Sequence, residues 1–415
     1  MGRFIALVCP KCGALEPNPR VFRCLNCASV LEAQIDVGHL TAADFAGMRR
    51  SRDSSIWRWF DFFPLQGRSS IVSLGEGGTP LIRAHRLGDR IGVPNLHLKN
   101  DTILPTGSLK DRSNSVGISV GQELGFSTAS VISTGNAAAS VAAYAAAAGM
   151  RSVVMVPKGT AHSKVIQAQA YGAKVIVVDG RFDFEVAELY KSAVAAFGWY
   201  DCLSSNPYRV GKKSYAYELV DQFDGAMPDW VIHPTAGGTG IFCMWQGFKE
   251  FLALNWIQRA PKLVAAQSAA AAPFVAAIDK GLGAIEPVDA AETVAESIQV
   301  GNPAALGWRA LAALRESNGT AVALSEGEII EAQALTARLT GMFAEPAGAI
   351  SVAAAKKLGA RGLIKADDIV VCNLTGHGLK QPEAVQARDD EFDPIAPTLA
   401  ALRERIRKSE ELAAI

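Results

Sequence analysis

The sequence carries no surplus of charge: 41 Lys and Arg stand against 41 Asp and Glu in 415 residues. A neutral chain is not built as a general nucleic-acid binder or as a basic membrane-surface protein. Histidine is scarce, six in all, and no two are spaced H-x-H or H-x-x-x-H, which disfavours a metal-dependent hydrolase. The usual nucleotide motifs are missing as well. Gly211-Lys212-Lys213-Ser214 lacks the upstream Gly of a P-loop, and Gly75-Glu76-Gly77-Gly78-Thr79-Pro80 ends in Pro where a GxGxxG fingerprint needs Gly. Long apolar runs are lacking too. Phe4 to Val8 is too short for the apolar region of a secretory signal. The uncharged stretch from Gly125 to Met150 is interrupted by Ser, Thr, Asn and Gly and is otherwise rich in Ala, so it reads as strand, loop and buried helix, not as a membrane span. A soluble, cytoplasmic protein is expected.

Cysteine, by contrast, is concentrated. Four of the seven fall in the first 27 residues as Cys9, Cys12, Cys24 and Cys27, in the pattern C-x2-C-x11-C-x2-C. Each close pair turns two thiolates toward one point, and two such knuckles supply four tetrahedral ligands. Zinc is the default metal and iron the alternative. Four thiolates fill such a site completely, so its role is structural. Cys202, Cys243 and Cys372 lie in apolar contexts and read as buried reduced thiols.

Beyond an aromatic cluster at Trp57, Trp59, Phe60, Phe62 and Phe63, a rhythm sets in. Short apolar runs at Ser152–Val156, Lys174–Val178, Asp229–Ile232, Leu263–Ala266 and Asp368–Val371 alternate with helical stretches such as Ser163–Tyr171 and Val186–Phe197. This alternation indicates an α/β fold with parallel sheets. Ligands in such sheets bind beyond the carboxyl ends of the strands. Three segments there stand out: Pro105-Thr106-Gly107-Ser108-Leu109-Lys110, Ser133-Thr134-Gly135-Asn136-Ala137, and Ala236-Gly237-Gly238-Thr239-Gly240. The last two follow strand-like runs and precede helices, where backbone N–H groups can hold an anion. Lys110, between a Gly-Ser turn and a helix start, is a candidate Schiff-base lysine.

PTGSLKDR, then STGNAAAS, then GGTG, then Thr375-Gly376-His377-Gly378-Leu379-Lys380 resembles the threonine synthase family, pyridoxal-phosphate enzymes of fold type II (tryptophan-synthase-β-like). Ser73–Leu81, Asn206-Pro207-Tyr208-Arg209 with Gly211–Glu218, and Phe343–Gly348 are similar to further blocks of that family, and an N-terminal cysteine ribbon is common in it. The resemblance implies two open parallel-sheet domains behind a zinc-ribbon-like segment. The expected boundaries are 1–36 for the ribbon, 37–113 for a connecting segment and the start of the large domain, 114–205 for a small α/β domain, and 206–415 for the rest of the large one. A homodimer is expected on the same ground.

The resemblance also implies roles. Lys110 would bind the cofactor and then shuttle protons. Asn136 would meet the cofactor's phenolic oxygen, Gly237, Gly238, Thr239 and Gly240 its phosphate, and Thr375 its pyridine nitrogen. Thr134, Gly135, Ala137 and Ala138 would hold the substrate carboxylate at a helix start. A second phosphate, that of O-phospho-L-homoserine, would fall to Ser205, Asn206, Arg209 and Lys213. Asp111 and Arg112 read as a structural ion pair and Glu345 as a positioning residue. Leu109, Thr134, the Thr235–Gly240 loop and Lys212, where Gln is common, depart from the family pattern. The expected activity is conversion of O-phospho-L-homoserine to L-threonine and phosphate. The alternatives are a paralogue acting by β-replacement on O-phosphoserine, as cysteate synthase does, or one dehydrating serine or threonine. The intact Lys110, Asn136, Gly loop and Thr375 argue against a cofactor-free binding protein.

Overall fold

The structure is a computed structural model that describes residues 3–160, 162–180, 185–203, 205–303, 306–385 and 393–413, without the side chains of 163 and 408–413. The chain opens with β1 (Arg3–Val8), β2 (Leu15–Glu16), β3 (Glu32–Asp36) and α1 (Ala42–Arg49). Next come β4 (Leu81–Arg83), α2 (His85–Ile91), β5 (Leu96–Asn100) and α3 (Lys110–Glu123). They are followed by β6 (Thr128–Ile132), α4 (Asn136–Ala147), β7 (Arg151–Pro157), α5 (His162–Ala170), β8 (Lys174–Val178), α6 (Ala187–Phe197) and β9 (Tyr200–Asp201). The run continues through α7 (Ser214–Gln222), β10 (Trp230–Pro234), α8 (Thr239–Ala253), β11 (Lys262–Ser268), α9 (Pro273–Asp279) and α10 (Gly307–Glu316). It closes with β12 (Thr320–Leu324), α11 (Glu326–Thr340), α12 (Pro346–Ala360), β13 (Val370–Leu374) and α13 (Leu399–Ala413).

Three sheets result. β2-β1-β3 is a small antiparallel ribbon that carries the four cysteines. Six strands form the large sheet in the order β12-β11-β10-β13-β5-β4, and four form the small sheet in the order β8-β7-β6-β9. The small sheet is parallel throughout, whereas the large one ends in β4, antiparallel to β5. Both sheets are covered on both faces, which is why runs such as Trp230–Pro234 and Val370–Leu374 are wholly buried. On one face of the large sheet the apolar core joins α7, α8 and α10 to the Ile56–Leu65 segment, and on the other it joins α2, α11 and α12. The aromatic cluster therefore belongs to the core: Trp57, Trp59, Phe60, Phe62 and Phe63 are all buried. In the small sheet, α4 packs closely because its inner face is Ala138, Ala142 and Ala145, with Val141 between.

Compact packing joins residues 3–381 into one unit, and Pro382–Ile415, with α13, forms a unit of its own. The uncharged stretch from Gly125 to Met150 is β6, α4 and their turns, and no described helix is long and apolar enough to cross a membrane.

Candidate active site

Strands β5, β10 and β13 run parallel, and their carboxyl ends deliver three of the quoted segments to one place. Backbone hydrogen bonds lace these segments together. Leu109 N–H donates to the Thr375 carbonyl at 2.8 Å, His377 N–H to that of Gly107 at 2.9 Å, and Glu345 N–H to that of Gly376 at 2.9 Å. Residues separated by more than 200 positions thus share one floor.

Lys110 is the first residue of α3, and the residues after it anchor it on both sides. Asp111 accepts from Thr106 N–H at 2.8 Å, from the Thr106 hydroxyl at 2.6 Å and from the Ser140 hydroxyl at 2.7 Å, tying the preceding turn to α4. Arg112, fully buried, pairs with Asp101 at 2.8 Å and with Glu218 at 2.5 Å, while Lys99 meets Glu218 at 2.6 Å. The expected Asp111–Arg112 pair is therefore two separate clamps that share only their position beside the lysine. Lys110 itself has no hydrogen bond or ion pair at Nζ among the described residues. Burial pulls its pKa down to about 8, with Glu345 resisting and Arg209 and Lys380 adding to the fall. An amine in that range is available as a nucleophile and as a proton carrier.

Asn136 opens α4, and its amide donates to both Glu345 carboxylate oxygens at 3.0 Å. Ser297 donates to the same carboxylate at 3.1 Å. Thr134 and Gly135 precede Asn136 and Ala137 and Ala138 follow it, so the turn and helix start adjoin the floor through Asn136, while Ala138 packs into the small-sheet core. On the other side, β10 ends and the Gly237–Gly240 loop starts α8. Gly238 holds φ at +87°, and a Cβ there would lie 2.5 Å from that of Ala310. At Gly240 a Cβ would overlap the buried ring of His233. Only a bare backbone fits, and the first N–H groups of α8 are left to an outside acceptor. Thr375, buried at the end of β13, has no hydroxyl partner among the described residues.

The expected substrate-phosphate residues are split. Arg209 Nε donates to Asn114 at 3.1 Å and is in electrostatic range of Lys110. Ser205 and Asn206 are bound to Asp201, by hydroxyl to carboxylate at 2.7 Å and by amide to backbone carbonyl at 2.8 Å. Lys213 lies elsewhere, in an ion pair with Glu250 at 2.6 Å. Of the adjacent Lys212 and Lys213, it is Lys212 that is in electrostatic range of Lys110.

Residues 72–376 match the model of the pyridoxal-phosphate dependent enzyme family. The chain is 40% identical to the threonine synthase of Methanocaldococcus jannaschii over 92% of its own length and 95% of the relative's. It is 38% identical to that of Methanosarcina acetivorans over 96% and 98%. The chain belongs to the threonine synthase family of pyridoxal-phosphate dependent enzymes. More distant solved structures share the fold. Escherichia coli diaminopropionate ammonia lyase aligns with a TM-score of 0.64 at 18% identity, covering 83% of this chain and 90% of that one. Solanum lycopersicum threonine deaminase isoform 2 aligns at 0.63 and 20%, covering 74% and 87%.

The residues present suit the cofactor of this family. Among the described residues they offer a part-buried amine without a partner, a glycine loop in which Gly238 and Gly240 leave no room for a Cβ, and a hydroxyl at Thr375 without a partner. Lys212 carries no site role in the sequence, where it stands only as a departure from the family pattern. Ser297, in the short 3-10 turn Glu296–Ile298 and outside any motif, carried no signal.

A second cluster lies in the ribbon. The four cysteine Sγ atoms fall within 4.8 Å of one another, with Cys9–Cys27 at 3.4 Å and Cys12–Cys24 at 3.6 Å. Tetrahedral zinc at its usual Zn–S length spaces thiolates by about 3.8 Å, so the cage has the right size.

Proposed function

We propose that this chain converts O-phospho-L-homoserine and water into L-threonine and phosphate. The observation that carries the reading is the convergence of an unpaired Lys110, the Gly237–Gly240 cradle and Arg209 on one floor. Pyridoxal phosphate, when bound, supplies the electron sink for carbanions at the substrate's α and β carbons. Lys110 Nζ would hold the cofactor's aldehyde carbon and, once the substrate's amine takes its place there, would be free to remove and return protons at those carbons. The N–H groups at Gly237, Gly238, Thr239 and Gly240 would hold the cofactor phosphate. The Thr375 hydroxyl would meet the ring nitrogen, and Asn136, oriented by Glu345, would meet the phenolic oxygen. The start of α4, from Thr134 to Ala138, takes the substrate carboxylate, favoured there by the helix dipole.

At the far end of the substrate, Arg209 takes the γ-phosphate, with Ser205 and Asn206 lining the same segment. Lys213 is committed to Glu250 and is not given that role. Loss of phosphate breaks the Cγ–O bond, and water then adds at Cβ. The Cys9, Cys12, Cys24 and Cys27 cage holds structural zinc, and the enzyme works as a cytoplasmic homodimer.

The test is product analysis of purified, cofactor-loaded protein. Threonine and phosphate in equal amounts from O-phospho-L-homoserine support the reading. Turnover confined to O-phosphoserine with sulfite, or to free serine or threonine, overturns it in favour of a paralogous reaction.

A further inference from the structure

The described part of the chain has three deeply buried lysines, Lys99, Lys212 and Lys213. Two are answered by carboxylates: Lys99 meets Glu218 and Lys213 meets Glu250, both at 2.6 Å. Lys212 is 7% exposed and has no hydrogen bond or ion pair among the described residues. A buried ammonium without a partner is costly, so such a group either stays neutral or awaits an anion.

Its surroundings indicate which. Lys212 sits in the short 3-10 turn Gly211–Lys213, pressed between α3 and α8. The approach to α3 is so close that a Cβ on Gly211 would overlap the Arg112 carbonyl. The charged and titratable groups within its range are Lys110 at the start of α3, Arg209 before the turn, Cys243 in the second turn of α8, Asp101 after β5, and His233 beneath Gly240. Two of these are cations. Asp101 is taken up by Arg112 and Tyr215, and burial pushes the Cys243 thiol up to about 11, so it is uncharged. Among the described residues no anion is free to answer Lys212, while Arg209 and α8, the helix that starts at the glycine loop, are its neighbours.

We propose that Lys212 is a further phosphate-binding cation of this site, its Nζ taking an oxygen of a phosphate that the start of α8 or Arg209 also holds. The inference rests on reading the site as one for a phosphorylated cofactor and substrate, and it deepens that reading. A compact ammonium suits this place, as a point charge that reaches one oxygen. The buried position keeps the contact free of competing water. The chemistry is that of a phosphate monoester dianion, and the two sources, cofactor and substrate, are separable by experiment.

Lys212→Gln keeps length and polarity while removing the charge. Stripped protein is titrated with pyridoxal phosphate and, separately, with pyridoxal, which lacks the phosphate, by absorbance. Cofactor-loaded protein is titrated with inorganic phosphate by calorimetry. A cofactor role predicts that Lys212→Gln weakens pyridoxal phosphate by about tenfold or more and leaves pyridoxal unchanged. A substrate role predicts a loss of similar size for inorganic phosphate on the loaded protein. In either case Lys212→Arg retains most of the affinity. If Lys212→Gln does not fold, Lys212→Met is measured in the same way. Variants that leave both phosphate affinities within about twofold, or that weaken pyridoxal as much as pyridoxal phosphate with inorganic phosphate unaffected, overturn the proposal. No readout uses turnover, so a chain that binds phosphate through Lys212 but makes no threonine refutes the reaction and leaves this role standing.

Discussion

Burial pulls the Lys110 amine down to about 8; Glu345 opposes the fall, while Arg209 and Lys380 add to it. An amine with a lowered pKa is a cation below that value and a free nucleophile above it. The rate at which stripped protein captures pyridoxal phosphate is therefore expected to rise with pH, pass its midpoint near about 8 and then level off. Lys380→Ala removes one repelling cation and moves the midpoint upward. Rapid-mixing absorbance across pH measures both, and a midpoint near that of an ordinary lysine would count against the burial argument. Residue chemistry of this kind was partly legible in the sequence, since Lys110, Asn136 and the glycine loop stood out by type and order. The choice between Lys212 and Lys213 was not. Adjacent residues in a three-residue turn point about 120° apart, and only the packing of that turn decides which of them meets Glu250.

Among the elements, the helix starts do most of the positioning. α8 begins where Gly238 and Gly240 leave no room for a side chain, so Gly240→Ala is expected to displace His233 and weaken pyridoxal phosphate far more than pyridoxal, as read by absorbance titration. Equal loss of both ligands would place the damage in the fold and not in the cradle. α3 begins between the Asp111 and Arg112 clamps. Arg112→Met leaves Asp101 and Glu218 buried without their main cation, and unfolding in urea should show a loss of about 3–5 kcal/mol. A loss under about 1 kcal/mol would mean the network is not a clamp. β7, β10, β11 and β13 were nearly legible because their apolar runs are largely buried on both faces, and β8 was legible to the residue because its Val and Ile run is β-branched, although it is a part-exposed edge strand. β4 and β5 were not: in β4 Ile82 and Arg83 are exposed on an antiparallel edge, and β5 interleaves His97 and Lys99 with leucines. Local composition there does not reveal a partner that lies far along the chain.

The whole molecule links the cysteine ribbon to the site. The Tyr208 hydroxyl donates to the Pro19 carbonyl at 2.8 Å, and its ring meets the edges of Phe4 and Phe22 at 6.0 and 5.9 Å. Arg309 donates to the Val30 carbonyl at 2.6 Å. Tyr208 is the residue before Arg209, so the ribbon braces the segment assigned to the substrate phosphate. A ribbon this small would depend on the proposed metal for order. Chelation of the proposed zinc, or Cys24→Ser, is expected to raise KM for the phosphorylated substrate several-fold while kcat changes little; an unchanged KM on verified loss of metal would remove the link. The ribbon and its cysteines were legible from spacing alone, but its docking on Tyr208 was not, because that contact joins residues 189 positions apart. The separate compact unit from Pro382 onward carried no sequence signal either.

The central claim is that this floor eliminates phosphate and then adds water. The most direct measurement is turnover of O-phospho-L-homoserine by the cofactor-loaded protein in water enriched in oxygen-18, with mass analysis of both products. Breaking the Cγ–O bond and hydrating Cβ places the label in the threonine hydroxyl and leaves the phosphate unlabelled. Label in the phosphate, with homoserine as the other product, would mean hydrolysis at phosphorus and would contradict the account.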